Sequence, residues 1–222
     1  MTDPRNYTAP ATLLEGRNIL VTGAGDGIGR SAALAYAAHG ATVWLLGRTE
    51  AKLEAVYDEI EAAGGAQPAI LPVDLATLNE QQCHTLATTL ADNMPHLDGL
   101  LHNASVLGER RPIESTSYES WSEVIQVNVN AQFLLTRTLL PLLGAAPAAS
   151  IIFTSSGVGR QGRAYWGAYA VSKFATEGLM QVLADELENT TRVRVNSLNP
   201  GGTKTAMRRS AYPAETPTDN PS

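Results

Sequence analysis

Short runs of Val, Ile and Leu alternate along the chain with longer stretches in which apolar residues return every three or four positions. The short runs, bounded mostly by Gly, Pro, Asn or Asp, predict buried parallel strands at 18–22, 42–46, 69–73, 99–102, 150–154 and 192–198. The longer stretches predict helices near 28–39, 50–63, 79–93, 118–143 and 167–189. Alternation in this order implies βαβ units, hence an α/β fold with a three-layer, doubly wound parallel sheet. No repeat or linker divides the sequence, so positions 1–222 are expected to form a single domain. Positions 208–222 turn polar and proline-rich and read as a flexible tail or lid.

Composition narrows the function more than the fold. With 44% apolar and 17% charged residues, 222 residues suit one globular unit with a large buried core. A net charge of −6, with no basic run beyond the doublets Arg110-Arg111 and Arg208-Arg209, argues against a nucleic-acid surface. Cys83 is the sole cysteine, which excludes an intrachain disulfide and a thiolate metal cluster. His84, His96 and His102 have no ligand spacing, so no metal site is expected. The first ten residues lack an apolar signal core, and no apolar stretch could span a bilayer. A cytoplasmic protein without a membrane partner is the expectation.

Two motifs carry chemistry. Between the first predicted strand and helix lies Thr22-Gly-Ala-Gly-Asp-Gly-Ile-Gly29, in which Gly23, Gly27 and Gly29 permit a tight turn. Such a turn lets backbone amides and a helix N-terminus approach a pyrophosphate, which marks a dinucleotide loop. The second predicted strand runs into Gly47-Arg48-Thr49, and an arginine there suits a ribose 2′-phosphate. This favours NADP, with NAD less favoured; Glu50 and Asp26 keep NAD open, and Arg48 could instead be a surface residue before a helix capped by Thr49.

The second motif is Tyr169-Ala-Val-Ser-Lys173. Residues four apart on a helix share a face, so the phenol and the ammonium stand side by side. A free phenol, with a pKa of about 10, is a weak acid–base catalyst near neutrality. A close cation, helped by a charged cofactor ring, is expected to lower it. Ser156, thirteen residues before Tyr169, is the companion hydroxyl. Strand alternation lets only one of Ser155 and Ser156 reach the site. Tyr165 is a weaker candidate, because the position four residues on is Tyr169 rather than lysine.

Together these motifs resemble the short-chain dehydrogenase/reductase family, from about Glu15 to Met207. The resemblance implies a Rossmann-like fold and an oxidoreductase that moves a hydride between a nicotinamide and a small carbonyl or alcohol substrate. It further implies that Ile28 belongs to the cofactor loop and that Asp74 and Leu75 sit beside the adenine. Asn103 and Ala104, in His102-Asn-Ala-Ser105, match the family's Asn-Asn-Ala-Gly, with Ser105 standing where the family has glycine. Pro200, Gly201, Thr203 and Thr205 match the loop that holds the carboxamide. Asn128, Ser156, Tyr169 and Lys173 match the catalytic positions, Asn128 through a water that links Lys173 to solvent. Tyr169 and Lys173 also contact the cofactor. The run from Gly159 to Tyr169 is similar to a subgroup of bacterial oxidoreductases of undefined substrate.

The family normally continues into a further helix and a seventh strand, for which no counterpart is expected within the 222 residues given. Other functions remain open: a cofactor-binding regulator or scaffold with little turnover, or a sugar epimerase, for which the chain is short. Apolar residues at Phe133, Leu139, Phe174, Leu179, Met180 and Leu183 exceed one core-facing stripe, and by resemblance a homodimer or homotetramer is expected through the two long helices.

Overall fold

The computed structural model describes residues 7–216. Positions 1–6 and 217–222 lie outside it, and with them most of the amino-terminal segment read as leaderless and the end of the expected tail. β1 (Asn18–Thr22), β2 (Thr42–Gly47), β3 (Ala69–Pro72), β4 (Gly99–His102), β5 (Ala149–Thr154) and β6 (Val193–Leu198) are all parallel and lie in the order 3-2-1-4-5-6. The order reverses beside β1, and in sheets of this kind ligands bind at the carboxyl ends of the strands around such a switch.

Adjacent strand residues face opposite layers, and both layers are dry at the centre. Leu20, Trp44, Leu46 and Leu100 pack with Leu90, Leu135 and Leu139 on one face. Ile19, Val21, Val43 and Leu45 pack with Ala33, Leu53 and Val56 on the other. The first face carries α3 (Glu80–Asn93), α5 (Ala131–Gly144) and α6 (Gly167–Glu188), and α4 (Tyr118–Ile125) packs against α6. The second carries α1 (Gly27–Ala38) and α2 (Glu50–Ala62). A central strand buried on both sides has no room for polar alternation, which is why these strands read as continuous apolar runs. No helix among the described residues is long and apolar enough to cross a membrane.

Local chemistry sets the helix starts. Asp26 caps α1, its carboxylate accepting from Gly27 N at 2.7 Å, and Asn79 with Gln82 forms a reciprocal capping box on α3. Thr49 occupies the start of α2 without a side-chain cap bond, so the capping expected of it is absent.

Two expected elements differ. The helix expected over 118–143 is interrupted by a π turn, Gln126–Asn130, between α4 and α5. The segment expected as a tail begins with a helix, α7 (Ala206–Ala211), held by a Thr205 cap, and Tyr212 then packs back on the body. Of the apolar surplus, Leu139 and Leu183 are core residues, and Leu179 and Met180 pack against the same core. Only Phe133 and Phe174 remain exposed from that set.

Candidate active site

A cavity of about 550 Å³ opens along the carboxyl ends of the strands. Of the predicted site residues, only Gly29 and Asn128 do not line it. Gly29 packs against Gly23 and Asn103, and Asn128 hydrogen-bonds Val106, all three of which do line it.

The glycine loop is shaped by crossing backbones. Gly23 has φ +68°, and a Cβ there would press on the Ala104 backbone at 3.0 Å. At Gly29 a Cβ would collide with the Gly23 carbonyl oxygen, so no larger residue fits without opening the turn. Thr22 ties this loop to the end of β4: its Oγ1 accepts from Asn103 N and Ala104 N, each at 3.0 Å, and donates to Leu101 O at 3.3 Å. The result is a bare backbone shelf at a helix N-terminus, suited to a pyrophosphate. Arg48 and Lys52 line the cavity where β2 leads into α2, and Asp74 lies there too, its Oδ1 accepting from Ala76 N. Lys52 also pairs with Asp26 at 2.7 Å and holds that carboxyl below its usual range.

At the other end β5 delivers Ser156 and α6 delivers Tyr169 and Lys173. Ser155 also lines the cavity, so both serines reach its wall, but the buried Ser155 hydroxyl lies close enough to Glu177 to favour that carboxylate. Tyr165 is exposed and does not line the cavity. The Lys173 ammonium lies 5.5 Å from the Tyr169 ring centroid and donates to Thr154 O at 2.8 Å. Lys173 is 1% exposed, and burial lowers its pKa to about 8.

The expectation that Lys173 depresses the phenol pKa is not met by the chain's own groups. Burial pushes Tyr169 above its ordinary value, while the hydroxyls of Ser156 and Ser105 act in the opposite direction. Desolvation penalises the phenolate more than these neighbours favour it. Ser156 has the larger effect of the two; the Ser105 Oγ is buried and completes no hydrogen bond of ordinary geometry.

Asn128 has a different place from a simple water holder. It is fully buried in the π turn; its Oδ1 accepts from Val106 N and its Nδ2 donates to Val106 O, both at 2.9 Å. Nδ2 also donates to Ser172 Oγ at 3.0 Å, and that hydroxyl donates to Tyr169 O at 2.8 Å. Both side-chain amide hydrogens face protein acceptors, so the amide nitrogen is committed to the Val106 and Ser172 contacts.

Sequence reasoning missed the far wall. Trp166 is buried against Tyr169, ring centroids 5.8 Å apart, and the Arg110 guanidinium stacks 4.7 Å from its centroid. Tyr212 accepts a 2.9 Å bond from Arg163 and carries Arg208 over its ring at 3.9 Å. The doublets Arg110-Arg111 and Arg208-Arg209 each contribute a residue to this wall, but its members come from separate loops and no local pattern joins them. Among the described residues, no three His, Cys, Asp or Glu side chains gather as a metal site would require.

A family model described as short chain dehydrogenase matches residues 17–216. An uncharacterized oxidoreductase of Escherichia coli (strain K12), YciK, is 57% identical over 96% of this chain and 83% of its own. A short chain dehydrogenase from Shigella flexneri 2a str. 301, solved in complex with NADP, superposes with a TM-score of 0.93. It is 55% identical, over 96% of this chain and 88% of that one. Another from Escherichia coli CFT073, complexed with NADPH, has a TM-score of 0.94 and 56% identity over the same shares of the two chains.

Proposed function

The chain belongs to the short chain dehydrogenase family, and on that premise we propose that it is an NADP-dependent oxidoreductase working on a small carbonyl or alcohol at a Ser156–Tyr169–Lys173 site. The observation that carries this reading is the convergence of these three side chains on the cavity that also contains the glycine shelf. The residues present suit the cofactor: a shelf without Cβ atoms for the pyrophosphate, and Arg48 and Lys52 for a 2′-phosphate. The two relatives solved with NADP and NADPH favour the phosphorylated form over NAD.

When bound, the nicotinamide supplies or takes the hydride. Tyr169 gives its proton to the substrate oxygen in reduction and takes it back in oxidation. Ser156 donates to the same oxygen and stabilises the charge that develops there. Lys173, buried and with a single N–H spent on Thr154 O, directs its remaining donors into the cavity. Its charge and that of an oxidised nicotinamide would together offset the burial that raises the phenol.

Stopped assays with a panel of aldehydes and ketones, alongside fluorescence titration of NADPH, test the reading. Tyr169→Phe is expected to abolish reduction while leaving NADPH affinity within twofold, and retained activity would refute the assignment. NADPH binding with no turnover on any carbonyl would favour a regulator or scaffold instead. Arg48→Ala is expected to weaken NADPH by about 1.5–3 kcal/mol and to leave NADH nearly unchanged. Tighter binding of NADH than NADPH by the unaltered chain would show that Arg48 does not select the cofactor.

A further inference from the structure

Ser105 is the residue on this wall whose chemistry remains unassigned. The resemblance places a glycine here, so the hydroxyl is an addition that the shared mechanism does not require. Its Oγ is buried and completes no hydrogen bond of ordinary geometry, although it lies near enough to Tyr169 to act on the phenol, an arrangement that is costly unless another state of the site tightens it. The backbone around it is clamped on both sides. Asn103 N and Ala104 N are held by Thr22 Oγ1, and Val106 is held at both N and O by the Asn128 amide. The same amide continues through Ser172 Oγ to the Tyr169 carbonyl. One buried network thus fixes the segment bearing Ser105 and the helix bearing Tyr169 to each other. Ser105 and Tyr169 line the same cavity.

We propose, building on the assignment of Tyr169 as proton donor, that Ser105 is a positioning residue whose hydroxyl, aimed from the β4 loop, donates to the Tyr169 oxygen when that oxygen carries charge. The proton that leaves Tyr169 goes to the substrate oxygen; Ser105 keeps its own and only turns its O–H. Ser156 approaches from the β5 loop, so the phenolate would be held by two hydroxyls from two strand ends. A hydroxyl that donates fully only to the charged form stabilises that form selectively, which is the condition for speeding a proton transfer. The direction in which Ser105 already shifts the phenol agrees with this role.

The test uses Ser105→Ala, Ser105→Gly and Ser105→Thr in the full chain with NADP⁺ bound. Ionisation of Tyr169 is followed as tyrosinate absorbance, taken as the difference between each protein and its Tyr169→Phe counterpart. Loss of the hydroxyl is expected to raise the apparent phenol pKa by about one unit, a tenfold change in ionisation. Threonine, which keeps the hydroxyl, is expected to restore at least half of the shift. The same displacement is expected on the alkaline limb of kcat/KM for 4-nitrobenzaldehyde reduction, with melting temperature and NADPH affinity little changed. Coincident titrations for the unaltered chain and both hydroxyl-free variants would overturn the proposal, as would a threonine variant that behaves like alanine. Absence of any reduction by the unaltered chain would count against the proposed enzyme, whereas the absorbance titration would still decide the role of Ser105.

Discussion

At the scale of single residues, burial sets the charge states around the site. His102 is 1% exposed, stacks on Phe153 with centroids 4.7 Å apart and shares a 2.8 Å hydrogen bond with Thr136 Oγ1. Desolvation lowers its pKa from 6.5 to about 3, so the fold holds the imidazole neutral. Between those values the unfolded chain binds a proton that the folded chain refuses. Stability from this group is therefore complete above the unfolded pKa and is lost as the pH falls toward the folded one. The expected loss is about 2 kcal/mol between roughly pH 7 and 5. Urea unfolding at both pH values would measure it, and His102→Asn is expected to flatten the dependence. An unchanged pH dependence in that variant would place the effect elsewhere. Spacing alone could not mark this histidine as core, because what excludes water from it comes from β5 and α5.

Elements were legible to the extent that their cause is local. All six strands and five long helical stretches follow from apolar periodicity, with boundaries shifted by only a residue or two. The π turn at Gln126–Asn130 was not legible: its register is fixed by Asn128 reaching across to Val106 and Ser172, partners far away in sequence. The short α7 was hidden for a related reason, since Tyr212 is anchored by Arg163 and Arg208 rather than by any pattern of its own. Glycine spacing, by contrast, marked the tight turn between β1 and α1 directly, because backbone crossings there demand that residue type. Gly29→Ala is expected to force α1 away from the β1 turn, costing about 1–3 kcal/mol of stability. It is also expected to abolish measurable NADPH binding by displacing the amides of the shelf. A titration that returns the parent affinity would show that the turn relaxes more freely than its packing implies.

For the whole molecule, the open question is assembly. Phe133, Val171, Phe174 and Val182 are each between 44 and 57% exposed, and three of them share α6. Val171, Phe174, Gly178 and Val182 recur at helical spacing, and nothing lies within 4 Å of the space a side chain at Gly178 would enter. A smooth apolar strip of this kind suits a two-fold contact with a second copy. Light scattering is expected to give at least twice the 23.5 kDa of one chain, and Phe174→Glu to shift the population toward monomer. A single monomeric species before mutation would rule the contact out. The sheet order has a different consequence, in the sequence of events at the ribosome. β1 is synthesised first yet lies inside the sheet, with β2 and β3 to one side and β4, β5 and β6 to the other. A nascent chain can therefore shape the glycine shelf against β2 while Ser156, Tyr169 and Lys173 are still to be made. Thr22 waits 81 residues for Asn103 to arrive, and until it does the floor of the binding site is one exposed flank of an unfinished half.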